Sequence, residues 1–171
     1  LLGLIYEDLL EQYFRRIGYE VVCKDCRSGM YGNEKFAVDY VLERNGVYYV
    51  VEAKCWPAYN EGLLKTFNKE VYRKIIERKR EDFRRLKTFL DRDFINYYRV
   101  KIDKRNIKAG GKILVWWDVD RDDAGDLMDT CGLDEIVSIK EILEEHRDKV
   151  REVIVEYKRY ADELFDVLLS G

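Results

Sequence analysis

An opposed pair of carboxylates beside a lysine is the strongest chemical signal in this sequence. Asn45-Gly46 separates two runs rich in β-formers, and this dipeptide between such runs is typical of a tight β-hairpin. A two-residue turn places Asp39 directly opposite Glu52, with their Cβ atoms about 4.5–5.5 Å apart. Lys54 lies two residues beyond Glu52 and therefore on the same face, because strand side chains alternate. The two runs are 36–43 and 47–54.

Two negative charges held opposite each other destabilise a sheet, so this pair calls for a compensating cation. Asp39 and Glu52 offer hard oxygen ligands with no His or Cys among them, which favours Mg²⁺ or Mn²⁺ over Zn²⁺. A simpler alternative explains the same residues. Lys54 then forms a cross-strand salt bridge to one carboxylate on a half-exposed sheet.

Composition excludes several other classes of protein. The chain of 171 residues is 47% apolar, which suits one packed domain, and 38% charged. One His and three Ser make a Ser-His-Asp hydrolase or a His-rich metal cage improbable. No stretch approaches the roughly 20 apolar residues of a membrane span. No basic region precedes the apolar start 1–5, so we expect no secretory signal and a cytoplasmic protein. The abundance of charged residues also suits a thermophile.

The predicted elements surround the hairpin in the order helix, three strands, helix, strand and helical tail. Glu7 lies at the edge of the apolar stripe of the first helix, so its side chain points partly toward the sheet. The predicted helices are 4–17, a long one after Pro57 that apolar residues mark from Leu64 to Leu90, and 139–168. The predicted strands are 19–23, the two hairpin strands and 113–117. We expect loops at 24–34, a polar connection over 91–111, and an Asp-rich loop after the last strand.

The spacing of the acidic pair and the lysine carries a family resemblance. Asp39, twelve intervening residues and Glu52-Ala53-Lys54 resemble the D…E-x-K signature of the PD-(D/E)-x-K nuclease superfamily. The segment 17–22 and the helix that carries Glu7 resemble those of archaeal Holliday-junction resolvases and Mrr-type restriction endonucleases. The superfamily core runs αβββαβ, so the resemblance covers about residues 4–118. Val38 stands where the family often has Pro.

The resemblance implies both a fold and a function. The fold is α/β, a restriction-endonuclease-like mixed sheet flanked by helices, with a nuclease core at 1–120 and a helical C-terminal extension at 121–171. The activity is Mg²⁺-dependent hydrolysis of DNA phosphodiester bonds by an endonuclease. Asp39 and Glu52 would bind the metal, Lys54 would orient or activate the attacking water, and Glu7 would complete the site.

A basic segment is the second feature that points to nucleic acid. Residues 61–112 hold 17 Lys/Arg against 8 Asp/Glu, whereas the remainder holds 14 against 26. Such a patch can face phosphate, although a solvated helix face is the plain alternative. Asn68-x-x-x-Tyr72 loosely resembles the Q-x-x-x-Y motif of exonuclease-like members of the superfamily. The candidate DNA-binding residues are Arg27, Lys35, Lys65, Lys69, Tyr72, Arg73, Lys74 and Arg78.

Three other interpretations stay open. Asp118 and Asp120 resemble the D-x-D of Toprim enzymes, with Glu52 as the upstream acid, although an acidic solvated turn after a strand is the favoured explanation. A catalytically silent nucleic-acid-binding module would keep the same residues. Cys23 and Cys26 form a C-x-x-C that suits free thiols, a disulfide or a metal site, and two further cysteines stand alone, Cys55 and Cys131.

An apolar stripe on the last helix raises the question of self-association. The stripe either closes the core or forms a dimer contact. Since nucleases that cut both strands are often two-fold symmetric, we expect a homodimer. Its residues are Ile142, Leu143, Val150, Val153, Ile154, Tyr157, Leu164 and Leu168.

Overall fold

A computed structural model describes residues 2–54, 66–78 and 83–170. The helices are α1 (Leu2–Arg16), α2 (Lys69–Glu77), α3 (Arg84–Leu90), α4 (Phe94–Tyr97), α5 (Arg121–Cys131), α6 (Ile139–Glu145) and α7 (Arg147–Leu169). The first strands are β1 (Glu20–Cys26), β2 (Met30–Tyr31), β3 (Glu34–Lys35), β4 (Val38–Arg44) and β5 (Val47–Lys54). The later strands are β6 (Thr66–Phe67), β7 (Tyr98–Ile102), β8 (Arg105–Lys108), β9 (Gly111–Trp116), β10 (Asp118–Val119) and β11 (Glu135–Ser138).

A five-stranded mixed sheet forms the centre of the molecule. Its order is β1-β4-β5-β9-β11, in which the first three strands are antiparallel and β5, β9 and β11 run parallel. Helices cover both faces, and α7 forms a C-terminal helical extension. The predicted α/β class, a mixed sheet flanked by helices with a helical C-terminal extension, is therefore confirmed.

The β4–β5 hairpin has the register that its turn predicts. Arg44 pairs with Val47 and Tyr40 with Val51. Asn45 and Gly46 both have positive φ, 53° and 77°, as the tight hairpin turn requires. The turn residues therefore decide which side chains meet further along the two strands.

Each face of the central sheet carries its own hydrophobic cluster. On one face, Leu10 and Phe14 of α1 pack against Tyr40 and Val51. The opposite face carries Val41 and Val50, which pack with residues of α2, α3 and α5: Val71, Ile75, Leu86, Phe89, Leu90, Ala124, Leu127 and Cys131. Because strand side chains alternate, the second face is also that of Glu52 and Lys54.

A buried lysine ties three of these elements together. Lys112 of β9 is fully buried, and its Nζ donates to the carbonyl oxygens of Phe89 at 2.6 Å, Asp91 at 2.8 Å and Cys131 at 2.6 Å. These carbonyls lie at the C-terminal ends of α3 and α5, where a helix has no further amides of its own to satisfy them. Lys112 therefore caps two helix ends from the sheet.

The polar connection predicted for 91–111 is wrong, because this segment folds into α4 and two strands of a second sheet. That sheet has the order β3-β2-β7-β8 and is antiparallel throughout. Tyr98, Val100 and Ile107 are buried on its inner side. Gly29, just before β2, lies against this inner side: a Cβ there would be 2.1 Å from the Phe36 carbonyl oxygen and 2.3 Å from the Tyr98 hydroxyl.

Other predicted elements differ from the structure because helix and strand ends depend on local hydrogen bonds. The single long helix before Leu90 is wrong where the structure describes the chain, since β6, α2 and α3 occupy that region. The predicted Asp-rich loop is mostly α5, which Asp120 begins by accepting a hydrogen bond from the Asp122 amide at 3.0 Å. The predicted helix 139–168 is two helices, α6 and α7, which meet at His146.

Two cysteines of the described chain are paired. Cys23 and Cys26 form a disulfide with Cα atoms 5.8 Å apart, whereas Cys131 is a buried free thiol. Cys55 lies outside the described residues.

Within the described ranges, no helix combines the length and the apolar character needed to cross a bilayer.

Candidate active site

Asp39 and Glu52 extend the hairpin pairing by one step beyond Tyr40 and Val51. Glu52 is completely buried, and the side chain of Asp39 is 36% exposed. Asp39 Oδ2 accepts a hydrogen bond of 2.7 Å from the Ala53 amide, which holds the carboxylate against β5. The two carboxylates are close enough for the charge of Glu52 to act on the titration of Asp39.

Lys54 supplies one positive charge to this pair. Its Nζ lies 2.9 Å from Glu52 Oε1, and its side chain is 41% exposed. The contact is an ion pair without hydrogen-bond geometry, since Glu52 Oε1 is a buried oxygen with no hydrogen-bond partner among the described residues. Lys54 therefore links the buried carboxylate to solvent.

Arg85 of α3 supplies a second positive charge, which the sequence analysis missed. Its Nη2 donates to Glu52 Oε2 at 2.9 Å and lies 3.6 Å from Asp39 Oδ1. Its Cζ lies 5.9 Å from the ring centroid of Phe36. No motif marks Arg85 within its basic segment. The charge balance was the available signal for a second cation, because Lys54 alone leaves one of the two carboxylates uncompensated.

The pKa of Asp39 reports how this charge balance works. Burial, and next the neighbouring charge of Glu52, raises the pKa of Asp39 to about 6. The Ala53 amide, Arg85 and Lys54 oppose this shift. Burial therefore contributes most to the raised pKa, and the charge of Glu52 adds to it although Arg85 and Lys54 lie close by.

Tyr98 places a second unsatisfied oxygen beside the site. Its hydroxyl is buried and has no hydrogen-bond partner within the described chain. Burial raises the pKa of Tyr98, the charge of Arg85 lowers it and that of Glu52 raises it, so all three groups are neighbours. Buried polar atoms are nearly always hydrogen-bonded, and unsatisfied oxygens on Tyr98 and Glu52 suit a site that binds a polar ligand.

The side chains that could hold a metal ion are the two carboxylates, Asp39 and Glu52. Across the described ranges, no group of three or more His, Cys, Asp or Glu side chains converges on one point. Mg²⁺ needs only one or two carboxylates, since it keeps several of its waters. Asp39 and the unsatisfied Glu52 Oε1 fit that requirement, while Arg85 holds the other oxygen of Glu52.

The structure does not bring Glu7 to this pair. Glu7 is exposed on α1, and the buried residues of α1 pack on the opposite face of the sheet. Its charge acts on Lys24 of β1, whose pKa it helps to raise. The role of Glu7 in a metal site stays a prediction from the resemblance.

Most of the predicted DNA-binding cations that the structure describes already have partners. Lys69 binds Asp126 at 2.5 Å, and Lys74 binds Glu70 at 3.0 Å. Arg27 pairs with Asp25 at 2.8 Å. Arg78 lies over the ring of Phe83, with its Cζ 5.4 Å from the centroid. Arg73 and Lys35 are exposed, and Lys65 lies outside the described residues.

The motif predicted on α2 has a structural role. Asn68 is the N-cap of α2, and its side chain accepts from the Val71 amide at 2.8 Å. Tyr72 is half-buried, and burial, followed by the neighbouring Cys131, raises its pKa. Neither side chain contacts Asp39 or Glu52, whose partners within the described chain are Ala53, Lys54 and Arg85.

The two acids of the Toprim interpretation hold local structure together. Asp118 Oδ2 accepts a hydrogen bond of 2.8 Å from Thr66 Oγ1, which joins β10 to β6. Asp120 caps α5. Each therefore has a local function that needs no metal.

Compared with family models, curated proteins and solved structures, the chain gives no significant match.

Proposed function

We propose that the protein is a metal-dependent endonuclease that hydrolyses DNA phosphodiester bonds, in the manner of restriction enzymes or junction resolvases. One observation carries this proposal. Asp39 and Glu52 stand side by side on one face of the sheet, and the pKa of Asp39 is raised to about 6 despite two nearby cations. A doubly charged ion bound by both carboxylates would supply as much positive charge as Lys54 and Arg85 together.

Asp39 and Glu52 would hold Mg²⁺ or Mn²⁺. Such an ion supplies an activated water and neutralises charge on the phosphoryl oxygens. Lys54, which is partly exposed beside Glu52, would stabilise the attacking water or the phosphoryl group. Arg85 would neutralise the free carboxylates and, once released from them, pair with phosphate. Glu7 enters this proposal from the resemblance alone.

A silent nucleic-acid-binding module is the second candidate function. Arg85 favours it, because Arg85 and Lys54 already contact both oxygens of Glu52. Two cations facing two carboxylates leave the pair with no net charge to compensate. The two candidates therefore differ in whether Arg85 leaves Glu52 when a divalent ion is offered.

A cleavage assay separates these candidates. The protein is incubated with supercoiled, linear, single-stranded and four-way-junction DNA, with MgCl₂ or MnCl₂. We expect Glu52→Gln and Lys54→Met to lower the cleavage rate by about a hundredfold or more, whereas Glu43→Gln on the same hairpin leaves it unchanged. Variants that cut as well as the parent would refute the site. DNA binding without cleavage by the parent would favour the silent module.

The same assay tests the Toprim interpretation. Loss of cleavage in Asp118→Asn, with activity kept in Asp39→Asn, would move the site to β10 and overturn the assignment of the hairpin carboxylates.

The proposal includes a homodimer and a cytoplasmic location. The N-terminal half of α7 packs toward α1, and Tyr157 hydrogen-bonds Asp8. Beyond that point large apolar side chains are exposed, among them Leu164 at 60% and Leu168 at 67%. An apolar helix end of this kind suits contact with a second copy. The cytoplasmic location rests on composition alone.

A further inference from the structure

The outer face of the second sheet carries a row of cations. The strand pairings place Lys35 beside Met30, Met30 beside Arg99, and Arg99 beside Lys108. Directly paired residues share a face, so these side chains form one line across all four strands. Lys101 lies two residues along β7 from Arg99 and therefore points the same way. We name Lys35, Arg99, Lys101 and Lys108 the basic row.

The sheet holds this row on a rigid support. Tyr98, Val100 and Ile107 alternate with the cations along β7 and β8 and are buried on the inner side. They belong to the same hydrophobic cluster as Phe36 and Phe94. The positive charges are therefore fixed to one outward face and are not carried on a flexible loop.

The charges of the basic row are not compensated. Arg99 and Lys108 are directly opposed, an arrangement of like charges that destabilises a sheet. Arg99 donates to the carbonyl oxygens of Asn96 and Tyr98, which carry no net charge. Among the described residues, no carboxylate forms an ion pair with any member of the row. The nearby Glu34 pairs with Arg84 instead.

The sheet that carries the row also borders the candidate active site. Lys35 is four residues before Asp39, and the intervening Phe36 lies beneath Arg85. Tyr98, on the inner side of the same sheet, neighbours Arg85 and Glu52. The second sheet therefore carries the basic row on its outer face and groups that border the carboxylate pair on its inner face.

We propose that the outer face of the second sheet binds the phosphate backbone of DNA through the basic row. This inference rests on the nucleic-acid part of the proposed function and not on cleavage. A line of uncompensated, regularly spaced cations matches a regularly charged backbone, and such contacts give affinity without sequence preference. The strand residues that the structure describes on this face include no aromatic side chain of the kind typical of protein–protein interfaces, so the face fits a polyanion better than an acidic protein.

The first test measures binding without cleavage. A short fluorescein-labelled DNA duplex is titrated with protein in EDTA, and fluorescence anisotropy is followed across a salt series. We expect Arg99→Gln/Lys101→Gln/Lys108→Gln to weaken binding at least about tenfold. The slope of log affinity against log salt should become shallower by about 2 to 3, since each phosphate contact contributes about 0.9.

A charge-matched control makes this result specific to the face. Lys140→Gln/Arg151→Gln/Lys158→Gln removes three cations from α6 and α7, which are exposed and far from the second sheet in sequence. We expect it to keep the parent's affinity and salt slope. Equal weakening in both triple variants, or no weakening in the first, would overturn the proposal. A parent that binds heparin or anionic vesicles but not DNA would overturn it as well.

A single substitution gives a second readout. Lys108→Glu places opposite charges across β7 and β8, so it should raise the unfolding temperature by about 1–3 °C while weakening DNA binding. Lower stability together with unchanged binding would contradict the proposal. The basic-row proposal and the nuclease proposal can be refuted independently. A protein that never cuts DNA still binds it in EDTA if the row functions as proposed.

Discussion

Arg85 donates a 2.9 Å hydrogen bond to Glu52, a carboxylate with no exposed surface. The same guanidinium lies 3.6 Å from Asp39. Arginine thus stands where the opposed carboxylates demand positive charge, and it competes with any ion that the pair would bind. Whether it leaves decides between an enzyme and a binding module.

Removing Arg85 should weaken the free protein and strengthen its response to metal. Arg85→Ala leaves Glu52 with Lys54 as its remaining cation, and we expect the free energy of unfolding to fall by about 1–2 kcal/mol, since the arginine is partly solvated. The variant should regain more stability than the parent on addition of MnCl₂. Thermal unfolding with and without the metal measures both effects.

Arg84→Ala is the matched control for that experiment. Arg84 is the preceding residue and forms an exposed pair with Glu34. It should change neither the metal response nor, beyond about 0.5 kcal/mol, the stability. A larger metal response in Arg84→Ala than in Arg85→Ala would show that Arg85 does not compete for the site.

Asp39 should make the free protein less stable as the pH rises from about 4 to about 6. Its pKa in the folded protein is about 6, against about 3.9 in an unfolded chain. Between these two pH values the folded protein binds more protons than the unfolded chain does. The stabilising contribution of Asp39 is therefore fully present below about pH 4 and is lost as the pH rises through about 6. Asp39→Asn should therefore gain stability over the parent at pH 7.5 and not at pH 4.

Urea unfolding at the two pH values measures this difference. Asp129→Asn, an exposed position on α5, serves as the control and should differ from the parent equally at both. If the stability of Asp39→Asn also differed from that of the parent equally at both pH values, Asp39 would ionise in the folded protein as it does in the unfolded chain.

Lys112 should be one of the most sensitive positions for stability. Lys112→Met fills a similar volume but removes three hydrogen bonds and leaves three carbonyl oxygens without their donor, two of them in fully buried contacts. We expect the free energy of unfolding to fall by about 3 kcal/mol. Chemical denaturation against Lys140→Met, an exposed lysine on α6, measures the loss. A change of less than about 0.5 kcal/mol in Lys112→Met would mean that water satisfies those carbonyls.

Asp120 should matter for the fold and not for catalysis. Asp120→Ala removes the N-cap of α5, which should cost about 1 kcal/mol of stability, while cleavage of DNA below the unfolding temperature stays at the parent's rate. Asp129→Ala, in the same helix, should cost less. Loss of cleavage in a folded Asp120→Ala protein would support the Toprim interpretation.

The exposed end of α7 should control self-association. Leu164→Ser/Leu168→Ser removes apolar surface beyond the part of α7 that packs toward α1. Sedimentation velocity should show a dimer for the parent and a monomer for the variant, with equal helix content. Val155→Ser, on another face of α7, is the control. A parent that sediments as a monomer would remove the dimer from the proposal.

The sequence predicted the part of the site that lies within one hairpin. The turn at Asn45-Gly46 determines the register, and the register places Asp39 and Glu52 together within fourteen residues of chain. Arg85 comes from a helix more than thirty residues away, and only tertiary packing brings it to Glu52. Charge compensation indicated that a partner was needed, but no pattern identified which of many neighbouring cations it was.

The second sheet was missed for a related reason. Its strands are short, and cations alternate with Tyr98, Val100 and Ile107, so the segment has the polarity of a linker. Burial of those three residues depends on Phe36 and Phe94 arriving from other parts of the chain. Similarly, the division between α6 and α7 falls at His146, where neither Pro nor Gly marks it.

Gly29 allows the backbone at Phe36 and the side chain of Tyr98 to pack closely together. With a hydrogen in place of a side chain at that Cα, the backbone carbonyl of Phe36 and the hydroxyl of Tyr98 pack directly against it. A single methyl group there would push the second sheet outward. The displacement would reach Asp39 and Glu52 through Phe36 and the guanidinium of Arg85. Position 29 is therefore a tightly packed point at which alanine, the smallest added side chain, should disturb DNA docking and metal chemistry together.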